Sequence, residues 1–305
     1  MDRLESMGVL LAVVDAGSLS AAGRRLGMPL ATVSRKVSDL EAQLKSRLLI
    51  RSTRSLALTE AGRGYVAACR RILEDVSEAE RTAAGEYGAP RGELVITAPV
   101  VFGRLHLLPV ITAFLQAYPE ITIRLVLGDR VLNLYEDSVD LALRIGALPD
   151  SALLAVSVGS IRRVVCASPA YLASNGKPQQ PHDLEAHQCV SFDPLATADS
   201  WRFQANGVDF AVAVHPRLTV STAEAAIDAA ISGVGVTRVL SYQVESALRS
   251  GGLTLLLEAF EPPPLPVSLL YTSQGRLPQK LRAMLDFAAP RLRARLQAAE
   301  LAGER

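Results

Sequence analysis

SLSAAGRRLGMPLATVSRKVSDLEAQL, residues 18–44, encodes two helices and the turn between them. Ser18 suits the N-cap of a helix over 19–26, because its hydroxyl can accept an N–H that the first turn leaves without a partner. Gly27 fits the left-handed conformation that stops such a helix. Pro29 sits well in the first turn of the next helix, where its missing N–H is not needed. In that helix Val33, Val37, Leu40 and Leu44 recur at helical spacing and form one apolar stripe. At about 100° per residue, Arg35 lies opposite the stripe, flanked by Ala31, Thr32, Ser38 and Asp39, with Ser34 and Lys36 on the shoulders. Short hydroxyls and a guanidinium on an exposed helix start suit base edges and phosphates in a major groove. The pattern predicts a helix-turn-helix; on pattern alone, a helical hairpin with a polar face is the alternative.

Upstream, Leu4, Met7, Val9, Leu10, Leu11, Val13 and Val14 predict a preceding helix that ends near Gly17. Downstream, Leu48 to Ile50 and Leu56 to Leu58 are short β-like runs around a basic, hydroxyl-rich tip. As a wing, that hairpin would set Arg51, Thr53 and Arg54 against the backbone or minor groove. Residues 20–72 carry eleven Lys and Arg against three Asp and Glu, although the whole chain is only +1. A compact basic module beside a neutral remainder fits a polyanionic partner, or a solvated charged surface if read on charge alone.

The run Ala21-Ala22, Leu26-Gly27, Val33-Ser34-Arg35, Leu40-Glu41, Leu44, Leu48, Arg51 and Leu58-Thr59-Glu60-Ala61-Gly62 resembles the LysR-type transcriptional regulators over about sixty residues, and the later chain is similar to them in outline. The resemblance implies a winged helix-turn-helix over 1–59, a dimerising linker helix and hinge over 60–90, and a two-lobed effector domain over 91–305 like periplasmic binding proteins. Lobe I would take 91–162 and 267–305, and lobe II 163–266. In this chain the family's usual Gly at 45 is Lys45, its Phe at 49 is Leu49, and its Ser-Pro at 29–30 is Pro29-Leu30, which bears on base preference.

Thr59 can cap the linker helix, along which Tyr65, Cys69, Ile72, Val76, Ala79 and Ala83 recur at alternating spacings of four and three. That seam predicts pairing with a second copy, or packing on the chain's own core. Arg70, Arg71, Glu74, Glu78 and Arg81 lie on the opposite face. Gly85, Gly88, Pro90 and Gly92 read as a hinge. A dimer would read two half-sites about one helical turn apart, or a multiple of that. The resemblance implies a homodimer or homotetramer on double-stranded promoter DNA, with RNA polymerase as a further partner.

Beyond the hinge, strands over 94–98, 122–127 and 140–145 alternate with helices up to Tyr118 and from Val131, which predicts a parallel doubly wound sheet. A second lobe begins near Arg163, with strands over 164–167, 190–192 and 218–221 and a helix over 222–232. The Pro262–Pro266 stretch crosses back to a strand over 267–271 and a helix from Pro278. Ligands in such sheets sit beyond strand C-termini and at helix N-termini, which nominates Val100, Val101, Phe102, Gly103 and Arg144. Arg144 would receive a carboxylate, or else pair with Asp140 or a neighbouring carbonyl. Thr97, Ser191 and Thr222 would donate neutral hydrogen bonds or stabilise strand and helix ends. The apolar Val100-Val101-Phe102 predicts a small, partly apolar effector such as an organic acid.

Hydrophobic residues make up 49% of the 305, and mean hydropathy is +0.23, which excludes a largely disordered chain. Aromatics, at 5%, are too few for a series of base-stacking platforms. Asp2, Arg3 and Glu5 interrupt any signal peptide, no apolar run reaches the ~18 residues of a membrane helix, and three cysteines make a poor disulfide framework. These features predict a cytoplasmic protein with no membrane partner. Gly233-Val234-Gly235 reads as a turn entering a strand rather than a dinucleotide loop. His182, His187 and Cys189 lack paired-ligand spacing, so neither metal nor cofactor is expected, and Cys166 with Cys189 reads as buried thiols or a redox pair. No Gly-x-Ser-x-Gly or Ser–His–Asp signature occurs, so the reading is a regulator and not an enzyme. The competing readings are a small-molecule enzyme or a solute-binding protein with an accessory helical domain.

Overall fold

The computed structural model describes residues 2–51, 56–83, 89–129, 139–147, 153–192, 200–272 and 277–303. The Asp2 carboxylate accepts the Leu4 and Glu5 N–H groups and opens α1 (Arg3–Ala16). Ser18 accepts the Ala21 N–H and opens α2 (Leu19–Leu26), which bends away from α1 by 119°. Gly27, at φ 64°, closes α2, and Met28 N–H returns to the Gly23 carbonyl. Pro29 is the residue before α3 (Leu30–Leu44), not a first-turn residue as expected. Its extended ψ keeps it outside the helix, while its carbonyl accepts Thr32 and Val33 N–H. The stripe Val33, Val37 and Leu40 is fully buried against Val9, Leu10 and Val13 of α1. Each such side chain contributes at most ~1.5–3 kcal/mol.

β1 (Leu49–Arg51) and β2 (Leu56–Leu58) pair antiparallel as the expected wing. Thr59 then accepts the Gly62 N–H and opens α4 (Glu60–Ala83). A Cβ on Gly62 would stand 2.0 Å from the Leu48 carbonyl oxygen, so the close approach of wing and linker helix requires glycine here. The pairing seam divides. Tyr65, Val66 and Cys69 pack into or are buried beside the chain's own head, whereas Ile72 is 40% exposed and Val76 half-buried. Ala79 is exposed, and the Ala83 side chain, like those of Glu78 and Arg81, lies outside the described residues. Gly85 and Gly88 also lie outside them, and Gly92 already belongs to the next strand.

Lobe I is a five-stranded sheet in the order β4-β3-β5-β14-β6, from β3 (Gly92–Ala98), β4 (Ile121–Leu127), β5 (Leu141–Ile145), β6 (Leu153–Ile161) and β14 (Leu265–Thr272). Lobe II is a second sheet in the order β11-β8-β12-β7-β13, from β7 (Arg163–Ala167), β8 (Cys189–Phe192), β11 (Pro216–Val220), β12 (Val236–Leu240) and β13 (Thr254–Leu256). A hairpin of β9 (Ser200–Ala205) and β10 (Val208–Ala213) stands beside it. The sheets are mixed, not parallel as expected. β3 runs parallel to β4 and β5, but β14 is antiparallel to β5 and β6, and β7 is antiparallel to β12 and β13. A chain that returns from lobe II re-enters lobe I in the reverse sense, and this produces the antiparallel pairs of β14. The helix expected from Val131 lies outside the described residues.

One face of the lobe I sheet is covered by α5 (Val100–Phe102), a π-helical turn (Gly103–Leu107), α6 (Leu108–Ala117) and α10 (Gln279–Gly303). The Val100–Ala117 stretch is long and apolar enough to cross a membrane, contrary to the sequence expectation, yet Val101, Phe102, Leu107, Val110, Ile111 and Phe114 are buried in lobe I. Lobe II carries α7 (Pro169–Asn175), α8 (Ala223–Ile231) and α9 (Ser241–Arg249). The two crossings between lobes lie side by side: Arg162, after β6, pairs with Glu261, before β14, at 3.3 Å.

Candidate nucleic-acid interface and effector cleft

Burial of the α3 stripe fixes which side chains face outward. Ala31, Arg35 and Ser38 are exposed, and Thr32 and Ser34 half-buried, along the helix that follows the turn. Lys36 departs from expectation. Its ammonium pairs with the Glu5 carboxylate at 2.5 Å, and its side chain is only 17% exposed, so it ties α3 to α1. Arg24, Arg25 and Arg47 add exposed positive charge to the same head. The Arg51 backbone belongs to β1, but its side chain, with Thr53 and Arg54, lies outside the described residues.

Sequence reasoning missed the brace that holds the wing. One Glu41 carboxylate oxygen accepts the Leu48 N–H at 2.8 Å and the Leu49 N–H at 3.0 Å. A charged acceptor on two backbone donors fixes where β1 leaves α3. Lys45, at the end of α3, holds φ 51°, the left-handed position for which glycine is suited.

The expected effector residues do not gather at one place. Val101 and Phe102 point into the lobe I core, because the helix begun by Val100 turns that side onto the sheet. A Cβ on Gly103 would stand 2.3 Å from Leu127, so this glycine answers to packing rather than to a ligand. Val100 stays half-exposed, but its N–H donates to the Asp129 carboxylate at 3.2 Å. An internal carboxylate thus holds the helix start where a ligand was expected. Thr222 accepts the Ala225 N–H and caps α8. Ser191 is buried in β8, opposite Thr219.

Arg144 does not pair with Asp140, whose carboxylate instead accepts the Val95 N–H at 2.7 Å. Leu141 and Leu143 of β5 belong to the main core. Ala142 lies in the small cluster behind the sheet, and Arg144, two residues on, shares its face. Its Nη1 donates to the Leu143 carbonyl, whereas Nη2, like the Thr97 hydroxyl in β3, is buried with no hydrogen-bond partner among the described residues. Burial lowers the guanidinium below its usual range.

Where the lobes meet, Tyr242 of α9 packs edge-on to Phe102 at 5.3 Å and to His106 at 5.5 Å. His106 stands in the π-turn, a local widening of the helix that often marks functional sites. Both its ring nitrogens are buried with no partner among the described residues, and burial, with Arg295 nearby, lowers its pKa from 6.5 to about 4. Burial raises the Tyr242 hydroxyl, and Asp129 and Glu224 push it the same way, so two carboxylates stand near this junction.

Other candidate chemistry separates. His187 meets the Tyr171 hydroxyl at 3.2 Å, while His182 pairs with Glu185. Cys166 and Cys189 pack into different clusters, one strand apart across β12, and burial pushes both free thiols up to about 12, so they form no redox pair. Gly233, at φ 81°, turns the chain into β12, as read from sequence.

Residues 4–63 match the family model for the bacterial regulatory helix-turn-helix protein, lysR family, and residues 88–293 match that for the LysR substrate binding domain. The chain is 36% identical to the HTH-type transcriptional regulator CrgA of Neisseria meningitidis serogroup C (strain 8013), over 94% of this chain and 96% of that one. It is 32% identical to the HTH-type transcriptional activator AaeR of Escherichia coli (strain K12), over 94% and 93%. Among solved structures, CrgA, described as a LysR-type transcriptional regulator from Neisseria meningitidis, superposes with TM-score 0.60 at 34% identity, covering 94% of this chain and 98% of that one. The full-length Vibrio cholerae virulence activator AphB superposes with TM-score 0.60 at 28% identity, again covering 94% of this chain and 98% of that one.

Proposed function

The chain belongs to the LysR-type transcriptional regulators, DNA-binding proteins with an effector-binding domain and not enzymes, and from that premise we propose how its own residues divide the work. Residues 1–59 form the head, 60–90 the linker and hinge, and 91–305 the effector domain with the lobe division given above. The head docks α3 in a major groove, where Thr32, Ser34, Arg35 and Ser38 meet base edges beside Ala31, and Arg51, Thr53 and Arg54 of the wing meet backbone or minor groove. Exposure of Arg35 directly opposite the buried stripe carries this reading. Lys36 acts by holding α3 in place.

Two heads act together through the linker helix in a cytoplasmic homodimer or homotetramer on promoter DNA, with RNA polymerase as its further partner. Arg35→Ala should lose about 1–3 kcal/mol on a selected duplex and much less on a random one. Equal losses on both, measured by fluorescence anisotropy at fixed salt, would refute the assignment.

The effector enters between the lobes near Val100, Thr222 and Tyr242. Its acid group goes to Arg144, whose buried Nη2, without a partner among the described residues, supports this choice. Asp129 and Glu224 oppose a second negative charge near Tyr242. Benzoate should therefore raise the thermal midpoint of the full chain more than succinate does, and a larger rise with succinate would overturn this effector class.

A further inference from the structure

The linker helix is packed onto the head through Tyr65 and Val66, and among the described residues ion pairs tie this unit to lobe I. Arg70 of α4 pairs with Asp15, at the end of α1, at 2.5 Å, and reaches Glu93 of β3 at 3.9 Å. One helical turn on, Glu74 pairs with Lys280, in the first turn of α10, whose ammonium also donates to the Glu93 carbonyl at 2.6 Å. Arg70 and Glu74 share one face of α4 at a spacing of four. Ile72, Val76 and Ala79 fall on the opposite face at about 100° per residue. The linker helix thus turns one side to its own lobe I and leaves the other for a second copy.

A cavity of about 540 Å³ lies within the junction, walled by Leu11 and Asp15 of the head, Leu73 and Glu74 of the linker, and Glu93 and Lys280 of lobe I. Its charged walls already pair with one another, as Arg91 does with Glu120 at 4.0 Å, and none of its lining residues carries a buried polar side-chain atom without a partner among the described residues. The void therefore lacks the unmet polar demand of a ligand site. It lies where the head with its packed linker helix meets lobe I, and charged pairs span it.

Resting on the reading of α3 as the DNA-docking helix, we infer that Lys280 and Arg70 are positioning residues: they set the angle between head and lobe I, and through it the half-site spacing that paired heads prefer. Lys280 is the stronger tie, because its side chain is only 11% exposed and its charge faces both Glu74 and the β3 backbone. Arg70 is the weaker, since both it and Asp15 are substantially exposed.

The test uses the full chain and duplexes selected by the wild type from a randomised pool, with the half-site spacing then varied. Lys280→Met keeps the aliphatic stem and removes the ammonium, and Arg70→Gln removes the second tie from an exposed site. Each variant is expected to bind a single half-site within about twofold of wild type and to lose about fivefold of the discrimination between preferred and shifted spacing. Unchanged discrimination in both variants overturns the inference. A parallel fall in half-site affinity also overturns it, since the residues would then act on folding or contact. A wild type that selects no duplex overturns the reading of α3 itself.

Discussion

Acid should weaken the seam between the lobes through one imidazole. His106 is wedged between Phe102, at 4.7 Å, and Tyr242, and its pKa falls from 6.5 to about 4. Between those values the unfolded chain holds a proton that the folded chain refuses. Stability is therefore lost as pH drops through 6.5, and the loss is complete below about 4. At about 1.4 kcal/mol per tenfold difference in proton affinity the ceiling is near 3 kcal/mol, and partial exposure of the ring brings the expected loss to about 2 kcal/mol. Asp140, Glu245 and Glu261 are all raised by burial and contribute the opposite slope, so the whole-chain curve mixes both signs. His106→Phe isolates the imidazole, since phenylalanine keeps the aromatic contact and cannot take a proton. Urea unfolding followed by Trp201 fluorescence, at pH values from 7.5 to 4, gives wild-type and variant curves whose difference should grow by about 2 kcal/mol toward acid. A difference that stays flat within ~0.5 kcal/mol would show that the ring is not desolvated by this junction.

The head offers two further checks. Glu41→Ala should destabilise the wing by about 2 kcal/mol, because two backbone donors lose a charged acceptor at a half-exposed site, and Glu41→Gln should recover part of that; amide hydrogen exchange at Leu48 and Leu49 reads the effect directly. Lys45→Gly should stabilise the head by about 0.5–1 kcal/mol by relieving the left-handed strain at φ 51°, a gain visible as a higher thermal midpoint and contradicted by an unchanged or lower one.

The head was legible because its signals are local. Ser18, Gly27 and Thr59 cap or stop helices within three residues of themselves, and the α3 stripe repeats inside one element. The lobes were legible only as alternation. Strand direction depends on where the chain re-enters lobe I after a hundred residues elsewhere, and nothing near Val267 records that β14 will lie antiparallel to β5. β6 escaped notice because Ser157, Gly159 and Ser160 break its apolar run. The β9–β10 hairpin was readable: Asn206-Gly207, both at positive φ, is a two-residue turn between runs that include Trp201, Phe203, Phe210 and Val212. Val101 and Phe102 were not legible as core residues for a geometric reason. A helix start after a strand can present either flank to solvent, and contacts distant in sequence turned Val101 and Phe102 inward while Asp129, some thirty residues on, took the Val100 N–H.

These magnitudes bear on how such a chain can respond to a small molecule. Coupling between an effector and a distant site is typically about 1–3 kcal/mol. A head packed onto lobe I through an apolar interface could not be released by so little, since a few buried leucines already exceed it. The junction observed is of the other kind. Exposed pairs such as Arg70 with Glu93 are each worth about 0–1 kcal/mol, the partly buried Lys280 somewhat more, and the space among them is open. The lobes, too, are bridged at their crossings by the Arg162–Glu261 pair and joined by Tyr242 of lobe II, which packs into the lobe I core beside Phe102 and His106. A ligand that prefers one lobe posture by ten- to a hundredfold therefore has enough energy to change which of these ties form.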